Sequence, residues 1–162
     1  MTLPPTLSSS VDGRLLVIVS RLDEGEPRTQ VTDGPTGQPV FGIDVENWAG
    51  PQPQAIDGAV RGFPIDSISD LPAGTYTVQA LVHRYETFKR GDGHTVKMPM
   101  DRGEGQQWSQ APGNLYSTPK KVALDPAEIK RSEFSTRPLP ALTAYDQLLS
   151  LSAQSFVKEV AQ

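Results

Sequence analysis

Apolar residues fall in short runs along this chain, and most of the runs alternate as strands do. Residues 14–20 read RLLVIVS, β-branched and bounded by Gly13 and a charged stretch over 21–28, which predicts a strand. It is apolar on both faces, as a central or doubly covered strand is. Residues 40–45, VFGIDV, predict a second strand with Phe41, Ile43 and Val45 on its buried face. The strongest alternation is TYTVQALVHRY over 75–85. Tyr76, Val78, Ala80 and Val82 share its apolar face; Thr75, Thr77, Gln79 and His83 share the other, the pattern of a half-buried antiparallel strand. Leu71-Pro72-Ala73-Gly74 is the turn before it. Arg90-Gly91-Asp92-Gly93 after it supplies glycines where a hairpin needs positive φ. Residues 94–100 then return as a partner strand, with Pro99 marking an edge or a bulge. Residues 120–124, KKVAL, read as a last strand.

Between these runs the chain is turn-rich. Residues 32–39 are a loop by composition, and 46–62, rich in Gly, Pro and Gln, cross the surface with a short extended piece at 54–57. Residues 101–119 form a polar loop holding Trp108 and Tyr116. Beyond residue 124 the period changes. Asp125-Pro126-Ala127-Glu128 has an N-cap followed by proline, so a short helix is expected there. Residues 137–140, RPLP, are an extended linker. Over 141–160, Leu142, Tyr145, Leu149, Phe156 and Val160 fall on one helical face, beside Leu148 and Val157. The expected division is a flexible arm over 1–12, a β-sandwich over 13–126, and a linker with an amphipathic helix over 127–162.

Composition narrows the class. The 162 residues include 14 glycines and 15 prolines, 29 in all, which excludes a simple helical bundle. A net charge of −4 argues against nucleic acid or an anionic membrane as partner. There is no cysteine, hence no disulfide, thiolate metal site or cysteine nucleophile. The start, MTLPPTLSSS, has neither the basic nor the apolar region of a signal peptide, so none is expected. The longest apolar run, Leu15 to Val19, is too short to span a bilayer.

Candidate chemistry is sparse. No Gly-x-Ser-x-Gly elbow, P-loop or dinucleotide-binding glycine fingerprint occurs, so no catalytic residue is assigned. His83 and His94, with Asp92, Asp101 or Glu104, are the candidate metal ligands. A hairpin centred near residue 91 sets His83 opposite residue 99 and His94 opposite residue 88, far apart along the ladder at about 3.3 Å per residue. Neither metal nor cofactor is therefore expected. His94 is expected to close the turn, His83 to sit on the outer face, and the acids to serve as turn residues. Tyr76 has the spacing of a tyrosine corner, in which the hydroxyl bonds backbone a few residues upstream; an ordinary buried tyrosine is the alternative. Trp48, Trp108, Tyr85, Phe88 and Tyr116 are the aromatics that could stack on a sugar. Gln106, Gln107 and Gln110 flank Trp108 as donors. Aromatics closing the end of a sandwich are the other reading.

From Gly13 to Pro126 the chain resembles the β-rich domain that precedes the catalytic domain in a family of predicted bacterial esterases, relatives of the enterochelin-esterase-like α/β-hydrolases. The resemblance rests on Gly13-Arg14-Leu15-Leu16-Val17-Ile18, on Phe41-Gly42-Ile43-Asp44-Val45, and on residues 71–80, LPAGTYTVQA. Its more distinctive parts are RGDGH over 90–94, and Glu104-Gly105-Gln106-Gln107 followed by PGNLYS over 112–117. It implies an accessory domain; the family's catalytic serine lies in its second domain and matches no position here. It also allows a periplasmic or secreted location. The expected fold is all-β, an antiparallel immunoglobulin-like β-sandwich of about seven strands with a C-terminal helical extension. The expected function is a non-catalytic accessory or interaction domain. The alternatives are a carbohydrate-binding module, with Trp108, Gln106, Gln107, Tyr116 and Trp48 as its site, and a subunit completing an active site with another chain. The partners expected are a hydrolase domain or a second copy, docked through the C-terminal helix, or a carbohydrate.

Overall fold

A computed structural model describes residues 1, 3, 10–50, 52–99, 101, 103, 105 and 107–125, together with the backbone of the short strand Lys158–Glu159. The described residues form an antiparallel all-β structure. Its strands are β1 (Val11–Ser20), β2 (Val40–Trp48), β3 (Gly62–Phe63), β4 (Gly74–Lys89), β5 (Thr95–Pro99), β6 (Leu115–Tyr116), β7 (Lys120–Leu124) and β8 (Lys158–Glu159). Three 3₁₀ turns, Pro27–Thr29, Ile68–Asp70 and Trp108–Gln110, interrupt the connections. Among the described residues there is no α-helix, and no helix long and apolar enough to cross a membrane.

The strands join one hydrogen-bonded sheet in the order β3-β2-β1-β4-β6-β8, with β5 and β7 also on β4. As its double-sided hydrophobicity requires, β1 lies between β2 and β4. The long β4 organises the rest. It pairs with β7 through Gly74 to Val78, with β6 at Leu81 and Val82, and with β5 from Tyr85 to Lys89. Lys97 of β5 lies 3.1 Å from Asp12 on β1 and 3.9 Å from Glu46 on β2, so β5 continues along the β1 edge of β4.

The principal core covers one face of this sheet. Leu15, Val17 and Val19 meet Phe41 and Val45 on one side and Tyr76, Val78, Ala80 and Val82 on the other. Val122 and Leu124 extend it along β7. The same core takes in Ile56, Ile68 and Leu71 from the 49–73 connection, and Met1 and Leu3 from the N-terminal stretch. Gln54 N–H donates to the Met1 carbonyl at 2.7 Å and ties that stretch to the connection. On the opposite face Leu16, Ile18 and Leu81 make a smaller cluster with Val31, Val40 and Trp108.

Three sequence expectations change. The hairpin is centred near residue 92, not 91: Tyr85 faces Pro99 and Phe88 faces Val96. The reason is the closure of the turn, in which Arg90 N–H donates to the His94 carbonyl and Gly93 N–H returns to Arg90. The arm expected over 1–12 is partly tied in: Met1 and Leu3 are buried in the core, and β1 already begins at Val11. Of the expected helix over 141–160 only Lys158–Glu159 is described, and it pairs as a strand with Leu115–Tyr116. The open backbone groups of a sheet edge offer that pairing, which helical periodicity does not register. Leu142, Tyr145, Leu149, Phe156 and Val160, and the short helix expected after Asp125, lie outside the described residues.

A bulge reverses the facing of β2 near its end. Gly13 pairs with Val45, but Val11 pairs with Trp48, so β2 carries one extra residue there. Asn47 absorbs it at φ 48°, a left-handed conformation that asparagine tolerates, and its N–H donates to Asp12 Oδ1 at 2.8 Å. That bond, with the Lys97 ammonium second, holds the Asp12 carboxyl below its ordinary value of 3.8. A depressed carboxyl stabilises the fold above its unfolded-state value and loses that contribution as pH falls through the lowered one. Asp12→Asn is therefore expected to cost about 0.2–1 kcal/mol at pH 7. The difference should narrow as pH falls through that lowered value, read from urea midpoints at neutral and at acidic pH. A gap that stays constant with pH would assign the loss to geometry, not charge.

Candidate functional site

The face opposite the principal core carries the polar and aromatic chemistry. Gln79 is fully buried there, because the segment from β1 to β2 folds over it. Its Oε1 accepts from Arg28 N–H at 3.0 Å, and its Nε2 donates to the Ser117 carbonyl at 2.9 Å and to Glu26 Oε2 at 3.3 Å. Arg28 in turn donates to Glu26 at 2.6 Å and stacks its guanidinium 4.1 Å over the Tyr116 ring. Ser20 Oγ donates to Gln30 Oε1 at 2.6 Å. These bonds pin the start of the 21–39 segment and leave its second half, Val31 to Gln38, as the wall of a cleft.

The cleft holds about 410 Å³. Leu16 and Val40 line its base with Gly42, where a Cβ would collide with the Leu16 side chain. Two aromatic rings line it: Phe63, 54% exposed, and Trp108. Trp108 is half-buried and held firmly. Its carbonyl accepts from Asn114 Nδ2 at 2.8 Å, and its ring stacks on His83 at 6.0 Å between centroids. Arg14, Arg61, Thr32, Asp33 and Gln38 supply polar groups. Arg14 is oriented by Asp44 at 3.0 Å and by the Gly42 carbonyl at 3.2 Å. Tyr85 donates to the same Asp44 oxygen at 3.1 Å; burial first, and Asp44 second, push its phenol above the ordinary value. Arginine stays protonated and cannot shuttle protons at neutral pH. The cleft therefore offers donors, one carboxylate and apolar ring surface, a set suited to holding a polar ring.

Of the described residues expected to form a sugar site, the structure brings Trp108 alone into this cleft. Gln107 is exposed at the start of the Trp108–Gln110 turn, and Gln106 lies outside the described residues. Tyr116 is on the same sheet face but lies under Arg28. Trp48 is corrected outright. It is 1% exposed in the principal core, with its indole N–H donating to the Gln52 carbonyl at 2.7 Å. The bulge turned it inward. Arg14, Arg61 and Phe63 were missed; nothing local marks them, because strand pairing assembles them.

Asp92, His94 and Asp101 are exposed residues in and beside turns. His94 N–H donates to Asp92 Oδ1 at 3.1 Å, and Gly103 N–H donates to Asp101 Oδ1 at 2.8 Å. Glu104 is outside the described residues. Among the described residues no three potential ligands gather for a metal. Tyr76 donates its hydroxyl to the Pro72 carbonyl at 2.6 Å and accepts from Arg21 at 3.0 Å. No protein-family model, no curated protein and no solved structure matches the chain.

Proposed function

We propose that this chain is a non-catalytic accessory domain that binds a saccharide in the cleft beside Trp108. The observation that carries the reading is the pairing of a clamped indole with an exposed Phe63 ring across a pocket rimmed by Arg14, Arg61, Asp33 and Gln38. Sugar rings stack their C–H faces on aromatics and bond their hydroxyls to fixed polar groups, and both elements are present. The accessory role follows the resemblance to the domain that precedes esterase catalytic domains. The fold that accompanies it is immunoglobulin-like, supported by Tyr76, whose bond to Pro72 four residues upstream has the form of a tyrosine corner.

The test uses intrinsic fluorescence, since the chain has two tryptophans. In a Trp48→Phe background only Trp108 reports. A bound oligosaccharide found by glycan array should shift its emission in a saturable manner. Trp108→Ala should abolish array binding while circular dichroism stays that of the parent. Absence of any glycan ligand, or retained binding in Trp108→Ala, would retire the saccharide reading.

A further inference from the structure

Building on the saccharide reading above, we propose that the cleft selects acidic sugars, holding the carboxylate of a uronic acid between Arg61 and Arg14 while the ring lies against Trp108. The chain carries a net charge of −4, yet this cleft is lined by two arginines against one aspartate. Arg61 is exposed, and its guanidinium has no partner among the described residues. Its backbone is anchored: its carbonyl accepts from Gly42 N–H, and it bridges to Ser67. An arginine anchored at its backbone is thus left with its donors unspent at the rim of an aromatic cleft.

Arg14 completes the pair. Two of its N–H groups are engaged, by Asp44 and by the Gly42 carbonyl, which fixes the guanidinium and leaves further donors on the same fork. A guanidinium presents parallel N–H groups at the spacing of carboxylate oxygens, so such a site prefers a carboxylate to a hydroxyl. Gly42 is bonded to both: its N–H donates to the Arg61 carbonyl and its carbonyl accepts from Arg14, and the absence of a side chain there makes room for Leu16 at the base of the cleft. Asp33 provides an acceptor for a ring hydroxyl. The volume of about 410 Å³ falls within the range of small-molecule sites.

The experiment is calorimetric titration of the full chain with three probes: a galacturonic acid trisaccharide, its methyl ester, and a neutral trisaccharide. The acid is expected to bind at least about tenfold more tightly than its ester, the worth of one charge-assisted hydrogen bond. Arg61→Gln should remove that preference, weakening the acid at least about tenfold, to the level of the ester. Arg61→Lys should recover part of it. The exposed position of Arg61 keeps both variants folded, which circular dichroism checks. Raised salt should shrink the preference. Equal binding of acid and ester, or a preference that survives Arg61→Gln, overturns acid selection and leaves saccharide binding standing. Failure of all three probes to bind the parent chain counts against both.

Discussion

Replacing Gln79 with leucine is expected to destabilise the fold by about 2–4 kcal/mol, because it strands one buried and one part-buried backbone group, at roughly 1–3 kcal/mol for a fully buried one. Those groups are the Arg28 N–H and the Ser117 carbonyl, which the Gln79 amide satisfies at 3.0 and 2.9 Å. Leucine has a similar volume but can bond neither. The loss should concentrate in the segment that the amide pins. Hydrogen exchange at Arg28 and its neighbours should speed up well before that of β1 or β4, whose ladders do not depend on it. Because that segment continues into the wall of the cleft, ligand affinity should fall too, although Gln79 is not among the residues that line it. A Gln79→Leu protein with an unchanged denaturation midpoint would show that water replaces both bonds without cost.

Trp48→Ala is expected to cost about 3–5 kcal/mol, as deletions of fully packed aromatics do. In a chain of this size that lowers the melting temperature by about 10 °C. Trp48 is buried to 1% in the principal core, opposite Val11, and its indole N–H satisfies the Gln52 carbonyl. Trp48→Phe keeps most of the volume and loses the N–H, so its cost should be markedly smaller. The contrast with Trp108 separates the two sides of the sheet. Trp108 is half-buried and faces a cleft, so Trp108→Ala should lose less stability and all of the sugar binding. Calorimetric melts of both variants measure this. A larger loss for Trp108 than for Trp48 would make Trp108 a lid over the smaller cluster instead of a binding surface.

Much of the sheet was legible in the chain because strand facing is a local property. The alternation over 75–85 placed Tyr76, Val78, Ala80 and Val82 inward, and the structure buries all four. The double-sided run over 14–20 forecast a central strand, and β1 is one. Phe41, Ile43 and Val45 share the inner face of β2, as their spacing required. The two-residue strands Gly62–Phe63 and Leu115–Tyr116 escaped notice, since two residues cannot display a period. Gln79 sat on the polar face of its strand and gave no sign that another segment would bury it.

By itself, then, the sequence determined the all-β class, the principal strands and the direction each one faces, since every one of these depends on neighbours two residues away. Tertiary structure alone decided the candidate site. Arg14, Gly42, Arg61, Phe63 and Trp108 come from separate segments and meet only through the pairing of β1, β2 and β3 and the packing of Trp108 on the same face. It also decided which tryptophan faces the cleft. By the parity of β2, Trp48 should share a face with Val40, Gly42 and Asp44. One extra residue, held by a bond between Asn47 and Asp12 across 35 positions of chain, sends it to the opposite face. A strand has a period of two, so a single inserted residue inverts everything beyond it, and its position is set by a contact that no local pattern contains.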